Sequence, residues 1–121
     1  KGREGALETV NDYMPESERA IPFQNILYLG DGLTDVPCMT VVKKYGGFAV
    51  AVHKAENQDP DNTIEACKTL AEANRIDFYA LADYTENSTL ENYVKKILNL
   101  IMARIQFQQE RNSLRHHKDG Q

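Results

Sequence analysis

Apolar residues along the chain fall into stripes at helical spacing and short unbroken runs. Ala6, Leu7, Val10, Tyr13 and Met14 recur at the three-and-four spacing of a helix with one buried stripe, which predicts a helix over Glu4–Met14 that Pro15 ends. Asn25–Leu29 is a short apolar run closed by Gly30, the pattern of a strand buried on both faces. Val36, Met39, Val41 and Val42 predict a second helix with Pro37 in its first turn, Lys43 and Lys44 in its last, and Gly46-Gly47 as its stop. Phe48–Val52 reads as a second strand, followed by a polar loop from His53 to Asn62. Thr63–Asn74 carries a third helical stripe, with Asn62 or Asp61 as its N-cap, and Asp77–Ala82 is a third strand. From Ser88 to Glu110, Leu90, Tyr93, Val94, Ile97, Leu98, Ile101 and Ile105 predict a helix of about six turns, opened by a Ser88/Glu91 capping box.

Helices that alternate with apolar strands imply an α/β fold: a parallel sheet of about three strands flanked by helices, with a long C-terminal helix. At 121 residues the chain suits one domain over residues 1–110, and residues 111–121 read as a polar tail that frays. There is no internal repeat, low-complexity tract or linker. Hydrophobic residues at 41% and charged residues at 26% are those of an ordinary globular protein. A net charge of −4, from 18 acidic against 14 basic residues, argues against nucleic acid as a partner. No apolar run reaches the roughly 20 residues that span a bilayer, and Lys1-Gly2-Arg3-Glu4 opens no signal peptide. With two cysteines in unlike contexts, Cys38 and Cys67, the expectation is a cytoplasmic protein with no membrane partner.

Chemistry concentrates at Gly30-Asp31-Gly32-Leu33-Thr34-Asp35, where the first strand gives way to a helix. In open α/β sheets ligands bind just beyond the carboxyl ends of the strands. Gly30 and Gly32 permit positive φ and a close approach of backbone to ligand, and Asp31 and Asp35 present two carboxylates four residues apart. Such a pair suits Mg²⁺, which takes oxygen ligands from one or two carboxylates and completes its shell with water and phosphate oxygens. The plainer reading is a Gly-Asp-Gly turn in which Asp35 or Thr34 caps the following helix.

The string from Asn25 to Met39 closely resembles the fourth motif of the haloacid-dehalogenase-like (HAD) hydrolases, an apolar strand running into Gly-Asp-x-x-x-Asp and a helix. The similarity continues through Gly46–Val52 and, more loosely, Asp77–Tyr84, covering most of residues 20 to 85. It implies that Asp31 ligates Mg²⁺ directly, that Asp35 supports the metal or its waters, and that the sheet is part of a Rossmann-like HAD core. The substrate class implied is a small phosphorylated metabolite. The family also needs an aspartate nucleophile in an Asp-x-Asp-x-Thr/Val motif at the end of an earlier strand, a Ser or Thr on another strand, and a lysine. The residues before Asp31 contain no apolar strand ending in Asp, and Lys1 is the only lysine there. Asp59-Pro60-Asp61-Asn62-Thr63 spells the nucleophile motif literally, but polar Lys54–Gln58 precedes it where a buried strand is required, so it reads as a loop with a helix cap.

The chain is therefore expected to be the C-terminal part of a HAD-like phosphatase, inactive alone, with Lys1 as its one candidate catalytic lysine. Its exposed first strand would pair with the missing N-terminal half or with a second copy. Two other readings compete. One is a non-catalytic binding or regulatory module. The other is a receiver-like signalling domain, whose fold puts its acidic pair near the chain start and its phosphoacceptor on a later strand. His53 reads as a strand-end residue, Cys38 as packing, His116-His117 as part of the tail, and Asn87-Ser88-Thr89, a glycosylation sequon, as helix-cap chemistry.

Overall fold

In the computed structural model, which describes residues 22–119, three parallel strands lie between helices on both faces. The helix expected over Glu4–Met14, and Lys1, lie outside the described residues. Pro22, with φ at −65°, accepts the Asn25 amide at 2.9 Å, so Phe23–Asn25 closes as a 3₁₀ turn. That turn moves the first strand two residues later than the apolar run predicts, and β1 is Leu27–Asp31. Asp31 thereby becomes the last residue of a strand instead of a turn residue.

The helix α1, Val36–Lys44, has Pro37 in its first turn and Lys43 and Lys44 in its last. It is closed by Gly46 at φ +93° and by the Gly47 amide, which donates to the Val42 carbonyl at 2.8 Å. β2, Phe48–His53, is followed by a 3₁₀ turn at Glu56–Gln58, then α2 at Thr63–Glu72 and β3 at Phe78–Leu81. The sheet order is β1-β2-β3, with Leu27 opposite Phe48, Asp31 opposite Val52, and His53 opposite Leu81. Among the described residues β1 pairs with β2 alone.

Alternation along β2 sorts the core into two layers. Ala49 and Ala51 face Met39, Cys67, Leu70 and Ile76, and their small side chains let α1 and α2 sit close on that face. Val50 and Val52 face Leu90, Ile97 and Ile101 of α3, Thr89–Asp119, on the other. Phe78 stacks on Tyr93 with centroids 4.3 Å apart, fixing α3 over β3. The capping box at the start of α3 forms in shifted shape: Ser88 Oγ accepts the Glu91 amide at 3.1 Å, and the Glu91 carboxylate accepts from Asn87 instead of Ser88.

α3 also runs beyond Glu110, through the segment expected to fray. Its apolar stripe ends at Ile105, but Gln, Glu, Arg and Leu are good helix formers, and the backbone stays helical to Asp119. No helix among the described residues is long and apolar enough to cross a membrane.

Candidate metal centre

All three strands run in the same direction, so Asp31, His53 and Leu81 bring their chain exits to one edge of the sheet. The turn from Gly32 to Asp35, the loop from Lys54 to Asn62 and the segment from Ala82 to Ser88 leave that edge together. This is where an open parallel sheet binds ligands.

Asp31 and Asp35, four residues apart, are held by different partners. Asp31 Oδ1 accepts the amides of Leu33 at 2.7 Å and Thr34 at 2.9 Å, folding the turn over its own carboxylate. Asp31 Oδ2 is met by the Thr34 hydroxyl at 3.1 Å. The Thr34 and Leu33 amides, in that order, hold the Asp31 carboxyl below its ordinary value, with smaller help from the Thr34 hydroxyl and the Lys54 charge against the cost of burial. Asp31 is therefore anionic at neutral pH. Asp35 stands at the N-cap position of α1, yet its side chain makes no cap bond. Instead Oδ2 accepts the Asp31 amide at 2.9 Å and Oδ1 accepts the Tyr28 hydroxyl at 3.2 Å. The cap expected of Asp35 or Thr34 is absent, since both carboxylate oxygens of Asp35 are turned back to the strand and the Thr34 hydroxyl donates to Asp31.

The two glycines are needed for a different reason from the one their permissive φ suggests. Among the described residues Gly46 is the glycine with positive φ, and neither Gly30 nor Gly32 adopts it. A Cβ on Gly30 would lie 2.6 Å from Asp35 Oδ2, so only glycine lets that carboxylate lie against the strand. Gly32 is buried against α2, where a Cβ would sit 3.4 Å from Leu70 and 3.5 Å from the Cys67 amide nitrogen.

Asp59 and Thr63 are joined as a helix start. Asp59 accepts the amides of Thr63 at 2.8 Å and Ile64 at 3.0 Å, together with the Thr63 hydroxyl, while Thr63 Oγ1 in turn accepts the Lys54 amide at 3.0 Å. The cap of α2 is thus Asp59, not Asn62 or Asp61. Asn62 takes a left-handed φ of 56° and makes no side-chain cap bond. The Thr63 hydroxyl, and then the two amides, lower the Asp59 carboxyl. Asp83, just past β3, repeats the pattern with the Thr85 hydroxyl and amide. His53 ends β2, its ring edge-on to Tyr79 and its Nδ1 2.9 Å from the Lys54 carbonyl oxygen. Burial pushes the Cys67 thiol up to about 11, and Cys38 is half-buried.

The spacing of acidic residues in the sequence does not reveal Tyr28 or Lys54. Tyr28 sits in a run that reads as apolar, and the signal it does give is a phenol hydroxyl in a strand that must find a partner. Lys54 reaches the site only because β2 lies beside β1.

Donor chemistry at the turn fits a hard divalent cation. Asp31 Oδ2, engaged by one hydroxyl, keeps a lone pair, and the groups around it are carboxylate and hydroxyl oxygens. Among the described residues no three His, Cys, Asp or Glu side chains gather as a ligand set, so the turn itself offers one carboxylate, that of Asp31, with Asp35 behind it.

The chain is similar to an uncharacterized protein of Borreliella burgdorferi (strain ATCC 35210), with 31% identity over 93 residues that cover 74% of this chain and 30% of that protein. It thus spans about 30% of the length of the curated relative it matches. No family model and no solved structure matches it.

Proposed function

We propose that this chain is the metal-binding portion of a Mg²⁺-dependent, HAD-like phosphatase acting on a small phosphorylated metabolite. The observation that carries the reading is the placement of Asp31: the last residue of a parallel strand, at the ligand-binding edge, anionic, and braced through its amide by a second aspartate withheld from its own helix. The resemblance of Asn25–Met39 to the family motif supports it.

In this reading Asp31 holds Mg²⁺ directly and Asp35 supports it from behind. The bound ion supplies charge neutralisation that lets an anionic carboxylate approach a phosphoryl group. The turn orients Asp31 through the Leu33 and Thr34 amides, and Lys54, on the neighbouring strand exit, contributes positive charge at the same edge. The attacking aspartate comes from a strand outside this chain that pairs with the β1 edge, in keeping with the chain's 30% share of its relative.

Titration of the chain with MgCl₂, followed by amide NMR, tests the reading. Saturable shifts at residues 31–35 that Asp31→Asn abolishes are expected, and a wild-type chain that shows none overturns it. With a generic phosphate ester and Mg²⁺ the chain alone should give no turnover, and robust hydrolysis would refute an attacking group supplied from elsewhere. A second reading, a non-catalytic module with the same fold, is favoured by one feature: Asp31 Oδ1 is fully engaged by two amides, as in a purely structural turn. Absence of Mg²⁺ binding would select it.

A further inference from the structure

Tyr28 lies on the β1 face that packs with Met39, Ala49, Ala51 and Cys67. A phenol there carries its hydroxyl to the edge of an apolar layer, where a half-buried hydroxyl gains from a protein partner. It donates to Asp35 Oδ1 at 3.2 Å, while Oδ2 of the same carboxylate takes the Asp31 amide at 2.9 Å. Gly30 leaves the space in which that carboxylate lies. Three positions of the strand are thus committed to keeping Asp35 against the backbone of Asp31.

Asp35 has another place to go. It occupies the N-cap position of α1, and because Pro37 carries no amide, the capping donor open to it is the Cys38 amide at the third helical position. Tyr28 decides between the two arrangements by supplying the second hydrogen bond on the strand side. We infer that Tyr28 is a positioning residue, whose hydroxyl holds Asp35 onto the Asp31 backbone and so sets how the Asp31 carboxylate meets a divalent cation. The inference rests on the metal reading above and adds a residue to it that the acidic motif does not contain.

Calorimetric titration with MnCl₂ of the wild-type chain, Asp31→Asn, Tyr28→Phe, Asp35→Asn and the Tyr28→Phe/Asp35→Asn double variant tests it. Tyr28→Phe is expected to weaken Mn²⁺ binding about 10-fold, the scale of outer partners of metal ligands. Because Tyr28 acts through Asp35, the double variant should bind no more weakly than Asp35→Asn alone. In Tyr28→Phe the Cys38 amide should gain protection from hydrogen exchange as Asp35 turns to cap α1, a gain that loss of the nearby hydroxyl alone would not give. Wild-type affinity in Tyr28→Phe, or losses that multiply in the double variant, overturns the inference. If Asp31→Asn still abolishes binding in that case, the metal reading survives. If the wild-type chain binds no Mn²⁺, both fall. Independently of any variant, Mg²⁺ added to the wild-type chain should shift the Tyr28 ring and the Asp31 amide along one binding curve, and a Tyr28 ring that does not respond also overturns it.

Discussion

The turn after β1 and the loop before α2 both place an aspartate just ahead of a helix, yet only one of the two helices uses it. Asp59 gives its carboxylate to the Thr63 and Ile64 amides and starts α2. Asp35, directly before α1, sends neither oxygen to that helix and both back to the strand. A missing cap costs a helix about 1 kcal/mol, so a carboxylate withheld from a helix start points to another task. The loop that spells a nucleophile motif is therefore ordinary helix chemistry, and the shorter Gly-Asp turn is the one built against local preference.

Substitutions should separate the two aspartates in graded steps. The largest effect is expected from Gly30→Ala: its methyl would meet Asp35 Oδ2 at 2.6 Å and Cβ at 2.7 Å, and the overpacking should cost about 2 kcal/mol in urea denaturation. An unchanged midpoint would mean that Asp35 swings away freely and braces nothing. Thr63→Val in the other loop keeps the shape but removes the hydroxyl between Asp59 and the Lys54 amide, at a buried position. Its expected cost is about 1 kcal/mol by the same measurement, and a neutral result would show that the hydroxyl bridge adds nothing to the Asp59 cap of α2. Asp35→Asn should change stability by less than about 0.5 kcal/mol, because α1 does not rely on that side chain. A larger loss would make Asp35 a structural residue like Asp59.

The smallest effect is on the acid limb of stability. Asp31 and Asp59 both have folded values below the ordinary one. The stability they add is present above the unfolded value, about 3.9, and is lost as pH falls through the folded values. Urea midpoints should thus be flat down to about pH 4 and fall below it, with Asp59→Asn giving a shallower fall. A fall that begins near neutrality would assign the limb to other groups.

Strand and helix order was legible because the unbroken apolar run of Phe48–Val52 and the helical period in Leu90–Ile105 survive in the structure, as a strand with both faces covered and the buried stripe of α3. The start of β1 was not, since the Phe23–Asn25 turn rests on two local backbone bonds, from Asn25 to the Pro22 carbonyl and from Ile26 to the Phe23 carbonyl. Nor was the cap of α2: the left-handed φ of Asn62 hands that job to a residue four positions before Thr63. At the candidate site the acidic pair and its glycines were visible, but the roles of the glycines were not. Gly30 answers to Asp35 and Gly32 to the side chain of Leu70 and the backbone of Cys67, and close approaches of that kind depend on packing that only the fold defines.

The length of α3 has a spectroscopic consequence. From Gln106 to Arg115 its side chains are exposed, so these turns stand on their own i to i−4 bonds and gain little from the sheet. Warming should unwind them gradually, lowering far-ultraviolet ellipticity while aromatic signals from the stacked Phe78 and Tyr93 hold steady until the sheet lets go.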